Sequence, residues 1–140
     1  MSVNTDVFHR AVDRWNAGDL EGYLGLYAPA IRLYGYAPQP FDKAAVGAFY
    51  RAIWASLPVA GRVNPLLEIH DRIEAQDKLV CRFTMAGVHA GPFMNVLASG
   101  RPYRLDGITI LRFEAGQVIE RWSCADMLGL LVQIGALPAP

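Results

Sequence analysis

The fold is decided by residues 87–135, which read GVHAGPF from Gly87 to Phe93, RLDGITILRF from Arg104 to Phe113, and QVIERWSCADMLGLLVQIG from Gln117 to Gly135. The last two segments are rich in strand-forming residues and flank a turn at Glu114, Ala115 and Gly116. Two long strands joined by a tight turn are therefore predicted, with few polar groups among apolar neighbours. This pattern favours a sheet that lines a cavity.

The rest of the chain supplies helices first and strands later. Apolar residues recur at helical spacing near the N-terminus, where Asn4 or Thr5 is the predicted cap, and again after Asp42. Strands are predicted at residues 66–75 and 79–88. We see no repeat and no linker, so residues 1–140 are predicted to form one α+β domain, with N-terminal helices packed on a curved, mainly antiparallel sheet.

Composition restricts the classes of partner. The 140 residues are 53% hydrophobic and 19% charged, and the formal net charge is zero. Nucleic acids and anionic membranes are bound through clustered Lys and Arg, so neither is expected as a partner. No apolar run approaches a membrane span, no signal segment is apparent, and the two cysteines and three histidines are scattered. We therefore expect a cytoplasmic protein without a metal site.

The chain resembles the SnoaL-like polyketide cyclases of the NTF2-like superfamily of cone-shaped α+β barrels. The resemblance rests on WNAGDLEGYLGLYAP, on G-x-H-x-G at Gly87–Gly91, and on E-x-W-x-x-x-D-x-L-x-L-L-x-Q-x-G at Glu120–Gly135. It implies a cofactor-independent intramolecular aldol cyclisation of a hydrophobic polyketide-like molecule, in a homodimer. It also implies that Asp126 is the general acid/base and that His89 assists it. The position of the cyclases' catalytic histidine corresponds here to Arg112.

Each candidate catalytic residue also has a structural interpretation. Asp126 is suited to be a helix N-cap as well as a proton acceptor. A lone histidine such as His89 is more often structural than catalytic, although neutral imidazole can donate to an enolate oxygen. Arg104 and Asp106 share a strand face and are typical of a solvated ion pair. With Asp126 they also resemble the Arg-bridged carboxylates of NTF2-like epoxide hydrolases, which is one alternative function.

The remaining candidates are predicted to bind substrate. Arg82 and Arg112 need an anionic partner if their strands are central, and Trp122 offers a flat wall for a ring. Two further alternatives stay open: a non-catalytic small-molecule-binding module, and an isomerase-like proton shuttle with a tyrosine oxyanion donor. The predicted substrate-binding residues are Trp122, Arg82, Arg104, Arg112, Tyr34 and Trp54, and the predicted catalytic residues are Asp126, His89 and Asp106.

Overall fold

A computed structural model describes residues 2–140 as an α+β domain. In chain order the elements are α1 (Val3–Asn16), α2 (Leu20–Leu24), β1 (Tyr27–Tyr34), α3 (Lys43–Ser56), β2 (Leu66–Ala75), β3 (Lys78–Val88), β4 (Pro102–Glu114), β5 (Gln117–Ala125) and α4 (Met127–Gln133). The predicted fold class is confirmed.

The five strands form one mixed sheet in the order β1-β5-β4-β3-β2. The pairs β2–β3, β3–β4 and β4–β5 are antiparallel, whereas β1 runs parallel to β5. Strands β2 to β5 therefore form the predicted antiparallel part of the sheet, and β1 lies at one edge, beside β5. The helices α1, α3 and α4 pack against β2, β1 and β4, respectively.

The hydrophobic core fills the space between the helices and one face of the sheet. We call this the inner face and the opposite one the outer face. Along β4 the odd-numbered residues from Tyr103 to Phe113 are buried, whereas Arg104, Asp106, Ile108 and Ile110 are exposed. This alternation follows from the two-residue period of side chains along a strand.

Capping side chains begin the helices. Asp42 and Asp126 accept hydrogen bonds from Ala45 N and Gly129 N, at 2.9 and 2.8 Å, at the starts of α3 and α4. The predicted cap of α1 at Asn4 or Thr5 is wrong, because Ser2 caps this helix. The backbone N–H groups in the first turn of a helix have no acceptor within the helix, so these capping side chains fix where each helix starts.

Candidate functional site

A cavity of about 40 Å³ lies between the inner face of the sheet and helices α1 and α3. Its walls are mostly aliphatic and aromatic, and they come from all parts of the chain: Trp15, Tyr23, Tyr36, Phe49, Tyr50, Ile53, Leu57, Leu67, Phe83, Met85, Phe93, Leu105, Arg121, Met127 and Leu130. No Asp, Glu or His is among these residues. Arg121 therefore supplies the only charge in the wall of this cavity.

Arg121 points inward because of an irregularity in the β4–β5 hairpin. Next to the turn Glu114 pairs with Gln117 and Phe113 with Val118, but Arg112 then pairs with Glu120. The register shift accommodates one extra residue in β5, which is a β-bulge. Because partners directly opposite share a face, Arg121 lies beside buried Leu111. Without the bulge it would pair with Ile110 and face outward.

The Arg121 side chain is 7% exposed and is held by hydroxyl groups. Its two Nη1 hydrogens are shared among the hydroxyl oxygens of Tyr23 and Tyr50, both at 3.1 Å, and that of Tyr27. Its Nε donates to Thr109 Oγ1 at 2.9 Å. Neither a carboxylate pair nor a hydrogen bond from Nη2 is present among residues 2–140. The two N–H groups of Nη2 are therefore free to bind a ligand in the cavity that Arg121 lines.

The three tyrosines contain one more proton than their mutual contacts use. The Tyr23 and Tyr27 oxygens are 2.6 Å apart, and the Tyr27 and Tyr50 oxygens are 3.2 Å apart. Each hydroxyl can donate once, so two contacts use two of three protons. The Tyr27 oxygen has two lone pairs, and one of them already accepts from Arg121. It therefore cannot accept from both neighbouring tyrosines, so Tyr27 donates its own proton to one of them. The spare donor then belongs to Tyr23 or Tyr50, and both line the cavity.

Burial keeps the hydroxyls of Tyr23 and Tyr50 protonated. Desolvation raises the pKa of Tyr23 well above its usual range and also raises the pKa of Tyr50. The guanidinium stays charged, because arginine does not lose its proton in proteins. The site therefore presents N–H and O–H donors together with one uncompensated positive charge. Such an arrangement is complementary to an oxygen that carries negative charge.

A second chamber, of about 310 Å³, lies outside the cavity, and we call it the vestibule. Both chambers share four wall residues: Tyr36, Phe49, Phe93 and Met127. These side chains therefore form a partition between the two chambers. The rest of the vestibule is lined by Gly35, Phe41, Ala52, Ser56, Pro92 and Met94, so it contains no charged residue.

The G-x-H-x-G segment positions the loop that contributes Phe93. Val88 N donates to Pro58 O at 2.8 Å, and Ala90 N donates to Ser56 O at 2.9 Å, so the segment satisfies carbonyls at the end of α3. A Cβ at Gly87 would lie 2.5 Å from Leu57 O, which explains the glycine there. The motif connects β3 to α3 closely and fixes the start of the loop.

His89 is fully buried but does not line the cavity. Its Nδ1 accepts from Ser99 N at 3.1 Å and lies 2.9 Å from Ser99 Oγ. Its backbone pairs with Gly100 and Arg101, so the histidine closes the base of the loop at residues 89–101. The expectation that His89 faces the substrate is not met, because these bonds hold the ring against the loop.

Asp126 is exposed, contrary to the expectation that its carboxylate faces an apolar chamber. Strand β5 ends at Ala125, and the aspartate side chain turns back to cap α4 through Gly129 N. The next residue, Met127, lines both chambers. The carboxylate is thus adjacent to the partition along the chain but outside it.

Arg104 and Asp106 form an exposed ion pair on the outer face, with 3.3 Å between Nε and Oδ1. The Thr84 hydroxyl donates to Asp106 Oδ1 at 2.6 Å, and this bond, followed by the Arg104 charge, lowers the pKa of Asp106. Asp106 and Asp126 border one open groove on this face, together with Arg82. Asp106 and Asp126, which form the predicted trio with Arg104, are therefore exposed to solvent and do not face an enclosed cavity.

The other predicted substrate-binding residues also lie away from the cavity. Arg82 pairs with Asp71 at 2.7 Å, and Arg112 pairs with Glu120 at 2.6 Å. Trp122 stacks on Tyr34 across the β1–β5 pair, with ring centroids 5.9 Å apart. All four are on the outer face rather than in the wall of the cavity, and their binding of substrate stays a prediction. Trp54 is buried in the core against Trp15 and does not line the cavity.

Comparison with known proteins supports this fold and identifies the family. A model of the SnoaL-like polyketide cyclases matches residues 5–134. The chain belongs to the SnoaL-like polyketide cyclase family.

Solved structures similar to this SnoaL-like chain come from several bacteria. AclR from Streptomyces galilaeus, a candidate hydroxylase, is 26% identical with a TM-score of 0.85 over 97% of this chain and 87% of that one. TsrD from Streptomyces laurentii is 26% identical, with a TM-score of 0.82 and 96% of each chain covered. A candidate SnoaL-like polyketide cyclase from Jannaschia sp. CCS1 is 22% identical, with a TM-score of 0.82 over 97% of this chain and 94% of that one. No curated protein matched.

Two further findings concern residues 2–140 of this SnoaL-like chain. Residues 2–140 contain no group of three His, Cys, Asp or Glu side chains placed to hold a metal ion. In the same residues, every helix is too short or too polar to cross a membrane.

Sequence reasoning missed the Arg121 cluster entirely. Tyr23 and Tyr27 are four residues apart, but Tyr50 and Arg121 are distant from them in the chain, and the three tyrosines lie on α2, β1 and α3. Tyr23 and Tyr50 are buried on α2 and α3, respectively. The inward direction of Arg121 depends on the bulge, for which the sequence offers no clear signal.

Proposed function

We propose that this SnoaL-like chain is a cofactor-independent enzyme that transfers protons on a small hydrophobic carbonyl compound, by intramolecular aldol cyclisation or a related enolisation. The observation that carries the proposal is the buried Arg121 guanidinium, which lacks a carboxylate partner within residues 2–140 and lines an apolar cavity. A buried charge without a partner is costly, so a ligand that compensates it explains its presence.

The Arg121 cluster would stabilise the charge that develops during enolisation. When a proton leaves the carbon next to a carbonyl, negative charge moves onto the carbonyl oxygen. The free Nη2 donors and the spare O–H of Tyr23 or Tyr50 are already oriented, because Thr109 and Tyr27 hold the rest of the cluster. Preorganised donors in a water-poor site stabilise such a transition state far more than solvent does.

Asp126 is the proposed proton acceptor. Its carboxylate would have to leave the Gly129 N–H and turn past Met127, a movement at the first turn of a seven-residue helix. His89 and Asp106 stay predictions as catalytic groups, and neither contacts the cavity. Arg82, Arg104, Arg112, Trp122 and Tyr34 would bind a substrate only from the outer face.

The proposal is tested by hydrogen exchange on a flat bicyclic ketone such as β-tetralone. In deuterated buffer, NMR follows the loss of the protons next to the carbonyl. The wild-type chain should accelerate this loss, and Arg121→Met should lose at least about tenfold of the acceleration, as expected for removal of charge-assisted hydrogen bonds. Arg51→Met, which removes an exposed arginine paired with Glu21, is the matched control. Equal rates in Arg121→Met and wild type would refute the proposed role.

A second candidate function uses the outer groove as an epoxide-hydrolase-type site. The observation in its favour is that Asp106, which pairs with Arg104, borders the same groove as Asp126. Incorporation of labelled oxygen from water into a diol would favour this function. A non-catalytic binding module would instead bind ligands through Arg121 without accelerating exchange.

We also propose that the chain is a homodimer through its outer face. Ile108 is 53% exposed and Ile110 is 36% exposed, next to the stacked Tyr34 and Trp122. Contiguous exposed apolar residues on one face are typical of an interface. Sedimentation should give the dimer mass, and Ile108→Lys should give the monomer; a wild-type monomer at micromolar concentration would contradict the proposal.

A further inference from the structure

We infer that the two chambers together bind a flat apolar ring that carries one ionised oxygen at its edge, the form shared by a phenolate and an enolised ring ketone. This inference rests on the proposed function and specifies its ligand. It is carried by the balance of donors and acceptors around Arg121, by the sizes of the two chambers, and by the aromatic partition between them.

The charge balance selects an anion. Arg121 is the only charged residue that lines either chamber, so the two cavities together contain one positive charge and no negative charge. The groups left unpaired at its end are donors: the two N–H groups of Nη2 and one tyrosine O–H. A neutral carbonyl would satisfy the donors but leave the charge uncompensated, whereas an anionic oxygen satisfies both.

The chamber sizes define which part of the ligand reaches Arg121. A volume of about 40 Å³ accommodates only one or two groups the size of a water molecule, so an oxygen substituent fits there and a ring does not. The vestibule, at about 310 Å³, is large enough for a ring. The ring would therefore lie outside the partition, with its oxygen directed inward.

The walls of the vestibule suit a flat ring. Phe49 lies between Tyr36 and Phe41, with ring centroids 4.5 and 5.3 Å apart, and Phe93 approaches from the loop. The backbones of Phe93 and Val96 pair in both directions at 2.8 and 2.9 Å, and Met94 and Asn95 adopt positive φ in the tight turn between them. Aromatic side chains favour offset or edge-on contact with another ring.

The inference is tested by binding of para-nitrophenol and para-nitroanisole to the intact protein. The two compounds have similar shapes, but only the phenol ionises near neutral pH, and its absorbance reports the ionised form directly. We expect the wild-type chain to bind the phenolate about 10- to 100-fold more tightly than the methyl ether, and to lower the pH at which the bound phenol ionises.

Variants separate the charge from the chamber. Arg121→Met should abolish the preference for the phenolate, whereas Arg51→Met, at an exposed ion pair, should retain it. Ala52→Trp, which fills the vestibule from the exposed side of α3, should weaken binding of both compounds at least tenfold. The wild-type comparison keeps the test valid if Arg121→Met does not fold.

Several results would overturn the inference. They are equal affinity of wild type for the two compounds, no binding of either at millimolar concentration, phenolate binding unchanged in Arg121→Met, and unchanged binding in Ala52→Trp. The failures of the two proposals are distinguishable. Phenolate binding without exchange of β-tetralone protons would support the anion site and refute the proposed enzymatic function. Exchange of these protons without a preference for the phenolate would support the enzymatic function and refute the anion site.

Discussion

Arg112 and Arg121 come from neighbouring strands one register step apart, yet they have opposite environments. Arg112 lies on the outer face, where Glu120 at 2.6 Å and Asp77 at 3.9 Å compensate its charge. Arg121 lies on the inner face, where its partners are four neutral hydroxyl groups.

This difference separates a structural arginine from a functional one. An ion pair that is partly exposed to water contributes at most about 1 kcal/mol and needs no ligand to explain it. A buried guanidinium among hydroxyls loses its hydration and regains only part of the interaction energy. The chain therefore retains at Arg121 an uncompensated charge that only a bound molecule would neutralise.

The comparison is tested most strongly by truncating each arginine. Arg121→Ala should lower the free energy of unfolding by about 3 kcal/mol, since it opens a void and removes the donor shared by three hydroxyls. Arg112→Ala should lower it by no more than about 1 kcal/mol. Urea unfolding measures both, and Arg121→Met should recover most of the loss because it refills the space without a charge. Equal losses for the two alanine variants would contradict the distinction.

Alkaline pH should destabilise the inner face. Burial raises the pKa of Tyr23 and Tyr50 in the folded chain, so both bind their protons more tightly there than when unfolded. The resulting stability is complete below the unfolded tyrosine pKa of about 10 and is lost as pH rises above it, by up to about 1.4 kcal/mol per pH unit for each tyrosine. Unfolding free energies measured across this range should fall, and Tyr50→Phe should have the shallower slope. A flat profile would argue against buried, neutral hydroxyls.

Substitutions of Asp126 distinguish the cap from the proton acceptor. Asp126→Ala should cost about 1 kcal/mol because the Gly129 N–H loses its acceptor, whereas Asp126→Ser and Asp126→Asn retain a cap and most of the stability. If the carboxylate also accepts the substrate proton, all three variants should lose exchange activity together. Full exchange activity in Asp126→Asn would assign the residue to capping alone.

Chemical labelling of the two cysteines compares the accessibility of the inner and outer faces of the sheet, and it perturbs the protein least. Cys124 is exposed on the outer side, whereas Cys81 is buried on the inner face, and desolvation raises the pKa of its thiol to about 11. Since the thiolate is the reactive form, a thiol reagent at pH 8 should label Cys124 rapidly in the monomeric Ile108→Lys variant, and Cys81 only after unfolding. Mass spectrometry of the labelled peptides measures this order, and early labelling of Cys81 would show that the core opens.

Much of the architecture could be predicted, because it depends on local periodicity. The strand predicted at residues 66–75 has its observed bounds, the predicted turn at Ala115 and Gly116 is correct, and a helix does begin after Asp42. Family resemblance was confirmed by the match to residues 5–134. These features follow from hydrophobic spacing, turn residues and caps, which are properties of short segments.

The site was harder to predict, because it depends on which face each strand residue occupies. Arg104, Asp106 and Arg112 share the parity of the outer face in β4, and that regularity was a usable signal of solvent exposure. In β5 the bulge beyond Val118 reverses the parity, so that Trp122 faces outward and Arg121 inward. A slip of one residue moves every later side chain to the other face, and periodicity alone does not locate it.

The hydroxyl cluster has a consequence for which side chain can donate a hydrogen bond. Tyr23, Tyr27 and Tyr50 share two hydrogen bonds among three rotatable O–H groups, so the free O–H belongs either to Tyr23 or to Tyr50. If the O–H groups rotate in concert, each hydrogen stays on its own oxygen, but the free O–H changes from Tyr23 to Tyr50 while every heavy atom stays in place. A substrate oxygen next to Tyr23 or next to Tyr50 can therefore receive a hydroxyl hydrogen bond without any movement of the two side chains.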